Sequence, residues 1–269
     1  MNTKKSQLII ALAVYAGFTL LFLAANTIHY IGERDGTLET MEPIAGMILG
    51  FLVFPVFCIG LPLWLARRWK LEYSFWPRGK NWLAGVAIAA LYVFLTQQQS
   101  IAQLLGMGIP AADFLIHFIS SGLFHASYYA LFAVLLLPVL RNNFGLIGGL
   151  AGTAALFAIY HLAGFYYFPA GLTPLLQVLL FCSFFVNLLI YLWTENLILS
   201  ALIHTIVGSV GLAINGTVFN QVNEMLIISA LILAGFFAYM IIYHLRHRSR
   251  PYRAEWWLRT SIAGKEDTA

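Results

Sequence analysis

The chain has 269 residues, of which 61% are hydrophobic and only 10% are charged. Soluble domains carry about 25% charged residues, so this composition excludes an ordinary soluble enzyme or a nucleic-acid-binding domain. The net charge is +4 and the mean hydropathy is +0.81, and we expect the charge to report membrane topology. We therefore predict an all-α, multi-pass protein of the cell (inner) membrane, with the lipid bilayer as its surroundings and no nucleic-acid partner.

Apolar runs long enough to cross a bilayer, about 18 residues or more, predict about eight transmembrane helices. The first run is longer than the apolar region of a typical signal peptide, so we interpret it as a helix of the mature protein. In chain order the helices are predicted at Ser6–Ile28, Ile44–Ala66, Asn81–Leu105, Ala112–Leu140, Leu146–Phe165, Thr173–Trp193, Leu197–Ile214 and Glu224–Tyr243.

These helices suggest four segments. Residues 1–110 contain the first three helices and an acidic outer loop, and residues 111–215 form a helical core. Residues 216–245 contain the last helix, and residues 246–269 form a basic tail. Fourteen of the fifteen Lys and Arg residues fall on one side of this arrangement, and Arg34 alone falls on the other. Basic residues mark the cytoplasmic side, so we expect both termini to be cytoplasmic.

Polar residues inside the predicted spans are the candidates for function, because ionisable groups within a bilayer are costly. At 100° per residue, His117, Ser121, His125 and Tyr128 share one face of the fourth helix, with Tyr129 at its margin. This stripe is expected to face the interior of the bundle, where interhelical hydrogen bonds alone would explain His117 and Ser121. Gln97, Gln98 and Gln99 form a second polar cluster and are expected to line a cavity.

His161 ends the fifth helical pattern and His204 lies within the seventh. A single intramembrane histidine is commonly a core residue with satisfied hydrogen bonds. Together with His125, however, the two would suffice to hold Zn²⁺ with an open position for water. Such an ion lowers the pKa of its bound water to about 7 and makes hydrolysis feasible. Both interpretations of the three histidines stay open at this point.

Two motifs resemble those of the CPBP family, the intramembrane proteases that include the CAAX endopeptidases and bacteriocin-processing (Abi) proteins. Phe157-x-x-x-His161 is similar to the second family motif, and Ser200-Ala-Leu-Ile-His204 to the third. The Asn143-Phe-Gly145 turn lies at the family's spacing before His161. The resemblance covers about residues 120–210 and implies a CPBP-like core at residues 111–215.

The chain departs from this family where the first motif, Glu-Glu-x-x-x-Arg, is expected. Tyr128 and Tyr129 occupy the positions of the paired glutamates, and Ala133 that of the arginine. Val134 replaces the usual glycine, and Gly208 stands where an Asn or Asp should follow His204. The resemblance implies that the first glutamate activates the attacking water. A tyrosine, with a reference pKa of about 10, cannot replace that base near neutral pH.

Three functions are compatible with these residues. The first is a non-catalytic or repurposed CPBP-like protein that binds a membrane polypeptide or an envelope-enzyme partner in its intramembrane cavity, lined by His117, Ser121, Tyr128, Tyr129, Phe157 and Gly208. The second is a divergent metal-dependent endopeptidase that uses His125, His161 and His204 as base or zinc ligands. The third is a small transporter or lipid-handling protein with the glutamine cluster on its pathway. The loss of the first motif favours the non-catalytic interpretation.

Overall fold

The computed structural model describes residues 3–34, 53, 56–71, 73, 83, 86–87, 90–95, 106, 122, 125–163, 174–194, 196–213 and 222–246. All regular secondary structure in this part of the chain is helical, which confirms the predicted all-α class. Seven helical elements have both ends within the described residues: α1 (Thr3–Arg34), α2 (Leu61–Arg68), a π-helical segment (Ala130–Leu136), α3 (Leu137–His161), α4 (Pro174–Thr194), α5 (Leu197–Ala213) and α6 (Val222–Arg246).

The helix boundaries follow the apolar runs of the sequence. The helices α4, α5 and α6 end within a few residues of the predicted spans, and α1 is longer, continuing to Arg34. Parts of the second, third and fourth predicted spans lie outside the described residues. The count of eight transmembrane helices therefore stays a prediction.

Two stretches among the described residues are long and apolar enough to cross a membrane. They are Lys4–Ala25 and His125–His161, with mean hydropathies of 2.5 and 1.7. A buried core helix of a soluble protein or an N-terminal signal sequence can have the same length and composition. Shorter apolar helices occupy Leu176–Leu192, Leu197–Ile206 and Ile227–Tyr239.

The stretch from His125 to His161 is folded back on itself at Gly145. This glycine has φ 75° and ψ 178°, a backbone conformation that is essentially restricted to glycine. A Cβ atom built on Gly149 would lie 2.8 Å from the backbone N and Cα of Arg141. The two arms, residues 125–144 and 146–161, therefore form a tight antiparallel hairpin. The sequence predicted a turn at Asn143-Phe-Gly145, whereas the first arm stays helical to Phe144 and only Gly145 departs from helical geometry.

The chain divides into two compact units. Unit 1 comprises Met1–Tyr73 and Gly122–Phe181, and unit 2 comprises Ser74–Ser121 and Cys182–Ala269. Each unit therefore combines an early and a late part of the chain. The four consecutive segments suggested by the sequence divide the chain differently, and that segmentation stays a prediction.

Unit 1 is built around the contact between α1 and the hairpin. The hydroxyl of Tyr15 donates a hydrogen bond to the backbone oxygen of Leu156, with a length of 2.9 Å. Further along both elements, the ring of Phe22 stacks on that of Tyr160, with centroids 4.6 Å apart. The helix α1 thus runs parallel to the second arm of the hairpin, and its N-terminus lies at the same end of unit 1 as the turn at Gly145.

Unit 2 is held by aromatic and hydroxyl contacts along α6. The ring of Phe185 on α4 lies 6.4 Å from that of Phe236 and 6.1 Å from that of Phe237, measured between centroids. The hydroxyls of Tyr92 and Ser229 are 3.3 Å apart, and those of Ser183 and Ser229 are 3.5 Å apart. Tyr92 and Ser229 are buried and Ser183 is half-buried, so the three hydroxyls form a polar cluster within unit 2.

Candidate functional site

The hairpin brings two of the predicted site histidines to the same tyrosine. The ring centroid of Tyr128 lies 5.7 Å from that of His125 and 6.0 Å from that of His161. All three side chains are buried, Tyr128 with 3% of its surface exposed. The prediction that His125 and Tyr128 share a helix face agrees with this arrangement, in which Tyr128 contacts both imidazole rings.

The orientation of His161 is set by its own helix. Its Nδ1 lies 2.8 Å from the backbone oxygen of Phe157, one turn earlier. Because a carbonyl oxygen can only accept a hydrogen bond, Nδ1 carries the proton and donates it. In the neutral ring the lone pair is then on Nε2, the nitrogen through which His161 would bind a metal ion or take up a proton. The ring of Phe157 also packs against that of His161, with centroids 4.3 Å apart, so the four-residue spacing of the second motif brings the two side chains together.

Further aromatic rings surround Tyr128. Phe157 meets it edge-on at 5.8 Å, and Tyr160 lies at 5.3 Å, both distances being between ring centroids. From α1, Phe18 approaches Tyr128 to 6.3 Å and Tyr160 to 5.3 Å. Sequence reasoning missed the contribution of α1, although Tyr15, Phe18 and Phe22 recur at spacings of three and four residues, which is typical of one helix face.

The residues aligned with the missing first motif are also enclosed. Tyr129 has no exposed surface, and neither do Ala133 and Val134 in the π-helical segment. Wide helical turns of this kind occur mostly as local bulges and are frequent at functional sites. Here the segment follows Tyr129 directly and places only apolar side chains at the positions where the resemblance implies an arginine and a glycine.

A small cavity adjoins this aromatic cluster. It is lined by Phe18, Leu21, Phe22, Ala25, Val53, Cys58 and Tyr160, and its volume is about 10 Å³. That is space for roughly one water molecule. The cavity is therefore far too small to receive a peptide segment.

His204 belongs to unit 2, where it lies on α5 with its ring 6.3 Å from that of Phe184. The helix begins with a well-formed cap, because the side-chain oxygen of Asn196 accepts a hydrogen bond of 2.9 Å from the backbone N–H of Leu199. Such caps satisfy one of the unpaired donors of a helix start. The third motif, which begins at Ser200, is thus helical throughout, and Gly208 lies within the same helix.

The structure tests the remaining site predictions only in part. His117, Ser121 and Gln97–Gln99 lie outside the described residues. Within the described residues, no group of three or more His, Cys, Asp or Glu side chains could hold a metal ion. His125 and His161 belong to one compact unit and His204 to the other, so the three-histidine zinc site stays a prediction.

Comparison with protein-family models, curated proteins and solved structures found no match. The resemblance to the CPBP family therefore rests on the residues of this chain alone.

Proposed function

We propose that the chain is a multi-pass inner-membrane protein with a CPBP-like core that lacks peptidase activity. In this proposal the chain has about eight membrane helices and both termini in the cytoplasm. It would bind a membrane polypeptide or an envelope-protein partner. The position of Tyr128 carries this proposal, because its ring occupies the space beside both imidazoles where hydrolysis would need a carboxylate and a water molecule.

The surface of the helices supports the membrane location. Large apolar side chains are exposed on both units, including Ile9 at 65% and Leu20 at 63% on α1, and Leu231 at 67% on α6. A soluble monomer rarely exposes extended apolar surface of this kind. In a bilayer the same side chains would contact lipid tails at no cost.

The arrangement of charge in unit 1 agrees with the proposed orientation. Lys4 and Lys5 begin α1, at the end of the unit where the hairpin turns, and Arg141 lies next to that turn. Arg34 ends α1 at the opposite side. Basic residues collect on the cytoplasmic side of membrane proteins, so the hairpin turn would face the cytoplasm.

The absence of peptidase activity is supported by the chemistry of the buried cluster. The rings of Tyr128, Phe157 and Tyr160 pack around the two imidazoles, so phenyl and phenol groups lie where a hydrolase would need a carboxylate. A general base must lie within hydrogen-bond reach of the water that it activates. The cluster is better suited to holding the hairpin rigidly against α1.

The second arm offers a surface for a partner. Ile159 and Leu162 have 51% and 50% of their surface exposed, while their neighbours Tyr160 and His161 face the buried cluster. A partner helix could pack against this exposed strip by close van der Waals contact, as helices do within membranes. The rigid cluster behind the strip would keep its shape constant.

A divergent metal-dependent endopeptidase is the second candidate function. It is favoured by the anchored ring of His161, since metal-ligating histidines commonly donate their second ring nitrogen to a carbonyl or carboxylate. It requires His204 to complete the site with His125 and His161.

Metal analysis and proteolysis separate the two candidates. We expect the purified full-length protein to contain no stoichiometric zinc, before or after incubation with it. We also expect cells producing the His161→Phe variant to show the same membrane-protein N-termini as cells producing the wild type. Stoichiometric zinc that is lost in His161→Phe, together with the disappearance of specific cleavage products, would establish the endopeptidase instead.

Photo-crosslinking tests the partner. A photoreactive residue at Ile159 or Leu162 should give a discrete protein adduct in intact cells. The same residue at Leu231, which is equally apolar and exposed but lies on α6, should give lipid adducts only. Lipid adducts alone at all three positions would contradict a partner on the second arm.

A further inference from the structure

The C-terminal end of α2 combines exposed positive charge with exposed aromatic surface. Trp64 has 53% of its surface exposed, and the guanidinium carbon of Arg68 lies 5.1 Å from the centroid of its ring. The Nε of Arg67 donates a hydrogen bond of 3.2 Å to the hydroxyl of Tyr73. Both guanidinium groups are therefore held in place by an aromatic neighbour while remaining exposed.

A third basic residue, Lys70, follows closely after the end of α2. The N–H of Leu71 donates to the oxygen of Ala66 over 2.9 Å, and the N–H of Lys70 to that of Arg67 over 3.1 Å. These two bonds form a Schellman motif, in which the residue at the position of Lys70 takes a left-handed conformation and is usually glycine. Lys70 has φ 53°, the one non-glycine residue with a positive φ in the described part of the chain.

A lysine at this position carries backbone strain that glycine would avoid. A positive charge near a helix C-terminus is favourable because of the helix dipole, and this accounts for Arg67 and Arg68. It does not account for a strained third cation or for the exposed ring of Trp64. The only carboxylate between Trp64 and Tyr73 in the sequence is Glu72, which lies outside the described residues, so positive charge is in excess.

We propose that Trp64, Arg67, Arg68, Lys70 and Tyr73 form a binding site for the phosphate of an anionic phospholipid headgroup. Guanidinium groups bind phosphate oxygens in a bidentate manner, and tryptophan and tyrosine are enriched at the level of the headgroups. This inference rests on the proposed membrane location, which would place the end of α2 at the cytoplasmic interface. The phosphate of the lipid would contact the basic side chains, and its acyl tails would lie along the apolar side of Trp64.

Fluorescence quenching by brominated lipids tests the site directly. The full-length protein is purified in detergent micelles that contain brominated phosphatidylglycerol or brominated phosphatidylcholine, and the signal of Trp64 is obtained as the difference from the Trp64→Phe variant. We expect phosphatidylglycerol to quench Trp64 at lower lipid content than phosphatidylcholine. Inorganic phosphate should compete only weakly, because it lacks the tails.

Variants without the basic side chains test how much each charge contributes to the preference for phosphatidylglycerol. The double variant Arg67→Gln, Arg68→Gln should weaken the preference for phosphatidylglycerol by about fivefold for each charge removed. The matched control Lys4→Gln, Lys5→Gln removes the same charge from α1, which the site does not include, and should leave the preference nearly unchanged. Lys70→Gly should also lose about fivefold while the protein melts at a higher temperature, a combination that damage to the fold would not produce.

These experiments distinguish a specific headgroup site from a general attraction of anionic lipids by the positive charge of the protein. Equal quenching by the two lipids, or equal losses in the control and in the Arg67, Arg68 variant, would overturn the proposal. The membrane location is tested separately, by carbonate extraction of cell membranes. Release of the protein by carbonate would contradict the proposed function, whereas a retained protein without lipid preference would contradict only the headgroup site.

Discussion

At the level of single residues, Tyr128 is the one on which the functional interpretation depends. Its ring contacts those of His125 and His161 and also those of Phe18, Phe157 and Tyr160. Edge-to-face aromatic pairs are each worth about 0.5–1.5 kcal/mol beyond their buried area. The position that the family resemblance assigns to a catalytic carboxylate is here a centre of packing.

We predict that Tyr128→Ala destabilises the protein severely and that Tyr128→Phe does not. Removal of a buried aromatic ring costs about 3–5 kcal/mol, whereas loss of the hydroxyl alone costs about 1 kcal/mol. The measurement is the fraction of protein that remains monodisperse after heating in detergent. Similar losses in the two variants would show that the hydroxyl, and not the ring, is what matters at this position.

At the level of elements, the hairpin between the two arms depends on two glycines for different reasons. Gly145 supplies a backbone conformation that other residues rarely adopt. Gly149 is helical, but it lies so close to Arg141 that a Cβ atom would overlap backbone atoms, which cannot move aside as a side chain could. The first requirement is conformational and the second is steric.

A series of alanine substitutions tests this distinction. Gly145→Ala should destabilise the hairpin by about 1–3 kcal/mol because of backbone strain, and Gly149→Ala by a similar amount because of overpacking. Gly152→Ala is the matched control, since its Cβ would meet only the Cδ1 of Leu140 at 3.4 Å. Alanine is favoured over glycine in helices by about 0.5–1 kcal/mol, so this variant should be as stable as the wild type or more so.

Thermal unfolding in detergent measures all three variants under the same conditions. A Gly152→Ala protein as unstable as the Gly149→Ala protein would contradict the close approach of the two arms at Arg141.

At the level of the whole molecule, the distribution of basic residues determines the expected orientation. With fourteen of fifteen Lys and Arg residues on one predicted side, reversal of the chain would require moving that charge across the membrane. The helix α1 has 32 residues, which at 1.5 Å per residue is about 48 Å. It is longer than the hydrocarbon core of about 30 Å and would project from it.

We predict that both ends of the chain and the hairpin turn are cytoplasmic. Single cysteines introduced at Lys5 and Asn142, in a variant without Cys58 and Cys182, should react with an impermeant reagent only after the membrane is opened. A fluorescent protein fused to the C-terminus should fold and fluoresce. A cysteine at Asp35 is the control and should react in intact cells, and labelling of Asn142 from outside would refute the orientation.

The sequence determined the helical class, the boundaries of α4, α5 and α6 within a few residues, and the place of the chain reversal. Apolar runs of sufficient length can form only helices when their backbone groups must be satisfied within the segment. A glycine after a basic residue likewise marks the break between Leu140 and Leu146. The helical period also placed His125 and Tyr128 on one face, since that relation is local.

Only the tertiary structure decided what those side chains contact. The rings of α1 reach Tyr128 and Tyr160 across more than a hundred residues of sequence, and no local pattern specifies that pairing. The left-handed conformation of Lys70 is likewise not predicted by the sequence, because the Schellman motif that ends α2 usually has glycine at this position. The spacing of residues in the sequence determines which side chains share a helix face. Which distant side chains pack against that face is decided only when the chain folds.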